Sequence, residues 1–169
     1  SKIIKLNKNQ IPIFEPGLKE IVHKNNLSER LKFTTDLKLA VTNSDIIFIC
    51  VGTPTLKKKK SADLSYVFQV SSDLSKYINK FKIIVTKSTV PVMTGDKIEK
   101  IILKKKRKRL FEVVSNPEFL REGDAIRDFM YPERIVVGTD SLISNRTLRN
   151  LYQPILNKGA KFLKTSRRG

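Results

Sequence analysis

Cysteine and histidine are almost missing from this chain: its 169 residues include one of each, Cys50 and His23. A single thiol cannot close an internal disulfide, so the fold must hold without cross-links, as is usual in a reducing cytoplasm. A lone imidazole excludes a His-rich metal centre, and no metal site is expected. Long apolar runs are missing as well. No stretch reaches the roughly 18 to 20 uncharged apolar residues that a membrane-spanning helix needs. The opening SKIIKLNKNQ is polar and lacks the apolar core and small-residue pattern of a signal peptide. A cytoplasmic setting with no membrane partner is the expectation. Negative charge is scarce, with 16 Asp plus Glu against 34 Lys plus Arg and a net charge of +18. That balance fits a nucleic-acid or anionic-membrane partner, or lysine spread over a solvated surface. The lysines are scattered through every predicted helix, and no aromatic-rich basic motif interleaves them. Nucleic acid is therefore not the expected partner.

What is present is apolar sequence grouped into runs, in a chain long enough for one domain with a real core. Asp45–Val51, Phe81–Val85, Leu110–Val114 and Arg134–Gly138 read as strands, with a short fifth near Phe162. The first is continuously apolar, which suggests burial on both faces in a parallel sheet. Between them, helical spacing predicts helices over about Asp63–Tyr77 (capped by Ser61 or Asp63), from Thr94 and Asp96 through Ile102, and over about Leu142–Tyr152. A short helix is expected from Glu118 to about Phe129, after the Asn116-Pro117 break. The N-terminal part is less regular. Phe14–Leu18 should open a helix with Pro16 in its first turn and with Leu18, Ile21 and Val22 as its apolar stripe. Leu31–Thr34 reads as a short strand and Asp36–Thr42 as a short helix. Strands alternating with helices argue for right-handed crossovers and a parallel sheet, an α/β fold.

In such a fold, ligands bind outside the carboxyl ends of the strands. Three loops would meet there: Val51–Thr55, Thr86–Thr94 and Ser115–Gly123. Gly52, Thr53 and Pro54 form either an ordinary turn or a place where backbone and a hydroxyl approach a phosphate or ribose. Ser88 and Thr89 could serve a ligand, or simply cap a helix. Glu118 and Glu122, four residues apart, would share one helical face. They suit general acid/base work, or equally charge complementarity at a helix start with Arg121 and Arg134 as ion partners. Cys50 is expected to be a small buried hydrophobe at a strand end, His23 a solvated side chain, and Lys57–Lys60 an exposed loop bordering the site.

Eight motifs in order carry a resemblance: IPIFEPGL (Ile11–Leu18), LKFTTDL (Leu31–Leu37), FICVGTPT (Phe48–Thr55), SADLSYV (Ser61–Val67), VTKSTVPV (Val85–Val92), SNPEFLREGDAI (Ser115–Ile126), DFMYPERIVVG (Asp128–Gly138) and LYQPIL (Leu151–Leu156). Together they resemble the nucleotide-sugar dehydrogenases, the UDP-glucose/GDP-mannose dehydrogenase family. The resemblance implies a Rossmann-like doubly wound parallel sheet that lacks its first strands, making up part of an N-terminal NAD-binding domain over residues 1–169. It also implies oxidation of C6 of a nucleotide sugar, UDP-glucose by the wording of KSTVPV and NPEFLREG, in two successive hydride transfers to NAD. By that resemblance Val51, Gly52, Thr53, Thr89 and Glu122 would bind the cofactor. Glu118, Phe119, Leu120 and Arg121 would line the sugar-nucleotide pocket, and Glu118, Glu122 and Thr89 would serve catalysis. The full-length enzyme would be a homodimer. Three departures stand out. The family's GxGxxG turn is not in this sequence, its nucleophilic cysteine is not Cys50, and Met93 occupies a place where the family has glycine. An inactive remnant of the family and a basic polyanion-binding module, using Lys57–Lys60, Lys104–Arg109 and Arg167-Arg168, stay open as alternatives.

Overall fold

The apolar runs become strands close to where they are expected. The computed structural model describes residues 2–56 and 61–168, so the Lys57–Lys60 run lies outside the described residues. The strands are β1 (Ile46–Ile49), β2 (Thr55–Leu56), β3 (Ser61–Ala62), β4 (Lys82–Thr86), β5 (Phe111–Ser115), β6 (Arg134–Gly138) and β7 (Lys161–Thr165). The helices are α1 (Lys2–Asn7), α2 (Leu18–Leu27), α3 (Leu37–Asn43), α4 (Ser65–Ser75), α5 (Thr94–Leu103), α6 (Ala125–Met130), α7 (Leu142–Leu151) and α8 (Gln153–Leu156). The chain divides into two compact units, Ser1–Leu37 with Phe119–Pro132, and Lys38–Glu118 with Glu133–Gly169.

The larger unit is a five-stranded sheet in the order β1-β4-β5-β6-β7 with helices on both faces. Successive strand residues point to opposite faces, so β4 serves two cores at once. Ile84 packs with Val67, Leu74, Ile98 and Ile102 of α4 and α5 on one side. Ile83 and Val85 pack with Leu148, Tyr152 and Ile155 from the α7–α8 segment on the other. Each fully buried aliphatic side chain stabilises by about 1.5–3 kcal/mol. Lys82 is the unexpected member of this strand. It is buried, and its Nζ donates to the Thr42 and Ser44 carbonyls at 3.1 and 2.5 Å, at the C-terminal end of α3. A cation there suits the helix dipole, and burial pushes its ammonium below the usual lysine range.

The sheet is parallel-dominated rather than wholly parallel. β1, β4 and β5 run parallel, as do β6 and β7, but β5 meets β6 antiparallel through the single pair Ser115↔Gly138. Between these two strands the only helix is α6, six residues long. That is too little to carry a full crossover. The consequence matters for function: Ile49, Thr86, Ser115, Gly138 and Thr165, the last residues of the five strands, form one continuous paired row.

Other expectations need correction. β1 is not buried on both faces. It is an edge strand of this sheet, and Phe48 keeps 36% of its surface exposed. Leu31–Thr34 is not a strand, because nothing among the described residues pairs with it. α2 starts at Leu18 after a left-handed Gly17 (φ 80°), so Pro16 precedes the helix, and Ile21 is 43% exposed. The helix expected from Glu118 begins instead at Ala125. Glu118 and Glu122 therefore do not share a helical face.

The smaller unit holds α1, α2 and α6. There Glu15 joins two motifs: its Oε1 accepts the Gly123 N–H at 2.8 Å and its Oε2 the Ala125 N–H at 3.2 Å. A carboxylate on the N–H of the turn before α6 and on that of its first residue explains why the helix starts where it does. Gly123, at φ 85°, makes the turn that presents its N–H.

Candidate active site

One residue past the strand-end row, three side chains lie side by side on the α7–α8 face: Cys50 after β1, Lys87 after β4 and Asn116 after β5. Backbone bonds carry the pairing just beyond the row, from Lys87 N to Ile49 O at 3.0 Å and from Asn116 N to Thr86 O at 2.9 Å. Asn116 is buried, and both the oxygen and the nitrogen of its amide are bonded. Its Oδ1 accepts from the Tyr152 hydroxyl at 2.5 Å and from Lys87 Nζ at 3.4 Å, and its Nδ2 donates to Val136 O at 2.8 Å. Burial pushes the Tyr152 hydroxyl up to about 12, and the Cys50 charge adds to the effect. Burial also pushes the Lys87 ammonium down, opposed by the charges of Glu118 and Cys50.

Cys50 is exposed, not the buried hydrophobe expected: it lies past the end of β1, the edge strand of the sheet. Its thiol is pushed up, first by the crowding of its surroundings and then by the Glu118 charge, with Lys87 pulling the other way. Cys50, Lys87 and Glu118 thus share one electrostatic neighbourhood.

The first two loops are tied together on this rim. The Thr53 hydroxyl donates to the Thr89 carbonyl at 3.3 Å, and the Ser88 hydroxyl donates to the Val51 carbonyl at 2.7 Å. Neither Ser88 nor Thr89 caps α5, as the capping reading would require. Thr94 opens that helix behind a left-handed Met93. A groove of about 170 Å³ lies here, lined among others by Ser88, Thr89, Met93, Ser115 and Pro117. Arg167 and Arg168 reach its wall but are already engaged. Arg167 pairs with Asp96 and, at 2.6 Å, with Glu99, while Arg168 Nε donates to Asp96 at 2.9 Å. Burial alone would raise Asp96, yet the two arginines outweigh it and hold its carboxyl below the usual range. Arginines neutralised in this way are poor anchors for a polyanion.

Of the expected site residues, Val51, Gly52, Thr53, Thr89 and Glu118 belong to the larger unit and Phe119, Leu120, Arg121 and Glu122 to the smaller. Glu118, Phe119, Leu120 and Glu122 are exposed. The ion partners named for the glutamates are taken elsewhere. Arg121 Nη2 bonds Asp128 at 2.7 Å and Asp124 at 2.9 Å, and Arg134 lies 4.0 Å from Glu133. Hydrogen bonds from the Arg121 side chain and backbone hold Asp128 at about 2. His23 is exposed, as expected. Sequence reasoning missed Lys87, Asn116 and Tyr152. Their signal was present as a polar pair ending two apolar strands and a tyrosine inside LYQPIL. Among the described residues no group of His, Cys, Asp and Glu could hold a metal ion, and no helix is long and apolar enough to cross a membrane.

The family model "UDP-glucose/GDP-mannose dehydrogenase family, NAD binding domain" matches residues 1–156. The chain belongs to this family. Among its relatives, a UDP-glucose 6-dehydrogenase of Rhizobium meliloti (strain 1021) is 47% identical over 169 residues, which is 99% of this chain and 39% of that protein. One from Bacillus subtilis (strain 168) is 48% identical over 155 residues, 91% of this chain and 33% of the relative. The chain therefore spans well under half the length of these relatives. Among solved structures, a UDP-glucose dehydrogenase from the hyperthermophilic archaeon Pyrobaculum islandicum superposes with a TM-score of 0.91 at 34% identity, covering 99% of this chain and 39% of that one. A GDP-mannose dehydrogenase from Pseudomonas aeruginosa gives 0.89 at 34% identity, with the same coverage. The dehydrogenase-family fold is thus the one that the motifs implied.

Proposed function

We propose that this chain is part of an NAD-dependent UDP-glucose 6-dehydrogenase, oxidising C6 of UDP-glucose to UDP-glucuronate in two successive hydride transfers. The observation that carries this reading is the strand-end row, with Thr53, Thr89 and Glu118 on the loops that leave it. An open α/β sheet binds its ligands at that edge. The names of the relatives favour UDP-glucose over GDP-mannose.

The rim fits one side of NAD. At Gly52 nothing lies within 4 Å of where a Cβ would stand, so a ligand can rest directly on the backbone there, beside Thr53 and Thr89. Bound NAD supplies the hydride acceptor. In this reading Val51, Gly52, Thr53, Thr89 and Glu122 orient the cofactor. Phe119, Leu120 and Arg121 line the sugar-nucleotide pocket with Glu118. Arg121 would do so through its backbone carbonyl, since its side chain is committed to Asp128. Glu118 is the proton carrier at the reacting carbon, and Thr89 and Glu122 hold the water. The setting is the cytoplasm and the full-length protein is a homodimer. The 169 residues by themselves should form no NADH, because neither a GxGxxG turn nor a second cysteine is among them.

The test is a chimaera in which residues 1–169 replace the matching segment of the Rhizobium meliloti enzyme. Absorbance at the NADH band should rise with UDP-glucose and not with GDP-mannose. Glu118→Gln in the same chimaera should slow turnover by about 100-fold or more. Undiminished turnover in that variant, or a preference for GDP-mannose, would sink the reading.

A further inference from the structure

Glu118 stands on an exposed loop with no helix beneath it, yet the residues just before it are held firmly. Asn116 is 1% exposed, and three side-chain hydrogen bonds plus its backbone bond to Thr86 fix it in place. Pro117 follows with its locked φ, so the path from Asn116 to Glu118 has few free torsions. The shortest of these bonds comes from Tyr152, which is 5% exposed and sits at the junction of α7 and α8, 36 residues away in sequence. A buried hydroxyl is kept at such a place only when its partner is worth the desolvation.

We propose that Tyr152 is a positioning residue for Glu118, acting through Asn116. Phenylalanine would fill the same apolar space, so packing does not call for the hydroxyl; what it adds is a fixed Asn116. Lys87 supplies the second donor to the same oxygen and lies 6.0 Å from the Tyr152 ring centroid. The α7–α8 segment, which is remote from the three loops in sequence, thus reaches into the site. This inference rests on the dehydrogenase reading only for its catalytic meaning; the placement itself is tested without substrate.

Cys50 is the sole cysteine and shares the electrostatic neighbourhood of Glu118, so it serves as a built-in reporter. The pH–rate profile of iodoacetamide alkylation is measured on the 169-residue chain and on Glu118→Gln. Removing the Glu118 charge, which pushes the thiol up, should speed alkylation at neutral pH about twofold. The same substitution is then made on Tyr152→Phe. Without its shortest side-chain bond Asn116 is held less firmly, so Glu118 samples more positions and its removal should change the rate less. An equal effect in both backgrounds overturns the proposal, as does no effect in the parent. Lys87→Met covers the case in which Tyr152→Phe does not fold. Tyr152 is then the remaining side-chain donor to Asn116 Oδ1, so the Glu118→Gln effect should persist, and its loss would assign the positioning to Lys87 instead. No nucleotide sugar enters the assay, so a failed chimaera leaves this result standing, and the converse holds as well.

Discussion

Met93 adopts φ 72°, a left-handed conformation that costs a residue with a Cβ about 1 kcal/mol and costs glycine almost nothing. It does so at the entrance to α5, on the turn where the family resemblance implies glycine. The backbone has thus kept the turn and accepted the strain, and the side chain, 46% exposed, recovers little by packing. Met93→Gly should stabilise the chain by no more than about 0.5 kcal/mol, the relief of about 1 kcal/mol of strain less about 0.5–1 kcal/mol for the added entropy of an unfolded glycine. Chemical denaturation would show it as a higher midpoint at unchanged slope, and a lower midpoint would mean that the methionine side chain holds the turn. Single residues are also where the sequence was least legible. Nothing in the Phe81–Val85 run singles out Lys82, which is buried on the α3 carbonyls, and Cys50 looked buried and turned out to be exposed. Neither is encoded locally, because each depends on what a distant segment places beside it.

Among the elements, strands and long helices were readable because apolar periodicity is a local property. α5 and α7 start within one residue of Thr94 and Leu142, where their patterns begin. α6 was misread because an i, i+4 carboxylate pair imitates a helix face, while the true start is set by Glu15, over a hundred positions upstream. The antiparallel step between β5 and β6 was hidden for a similar reason: strand direction follows from how the connection packs, not from the apolar run itself. That step also makes a demand of its own. At Gly138 three strand ends crowd together, and an added Cβ would lie 2.9 Å from the Ser166 carbonyl and 3.3 Å from Ser115 Cβ. A carbonyl oxygen of the main chain cannot swing aside as a flexible side chain does. Gly138→Ala should therefore cost about 1–3 kcal/mol, read from the unfolding midpoint. It should also loosen the Thr139 N–H bond to Thr165, seen as faster amide exchange at Thr139. A neutral substitution would mean that the row at the rim is not closely packed.

Over the whole molecule the dominant fact is charge. With 34 basic and 16 acidic residues, the net charge of +18 is spread over a 19.4 kDa body, and folding brings those charges closer together. Self-repulsion of this size opposes the compact state and is relieved when salt shortens the Debye length from about 10 Å at 0.1 M to about 3 Å at 1 M. The opposing effect, screening of attractive pairs, should be smaller here. The exposed pairs contribute little to begin with, and the most enclosed cluster, Asp96 and Glu99 with Arg167, is shielded from ions by its own burial. The thermal midpoint should therefore rise as sodium chloride goes from about 0.02 to 0.5 M at constant pH. Binding to random-sequence DNA, if it occurs at low salt, should fall away over the same range with the steep slope of counterion release, because no arranged set of bases or phosphates is being read. A midpoint that drops with salt would show that the ion pairs outweigh the repulsion. Tight DNA binding that survives 0.5 M salt would require a built nucleic-acid site, and would revive the polyanion-binding alternative.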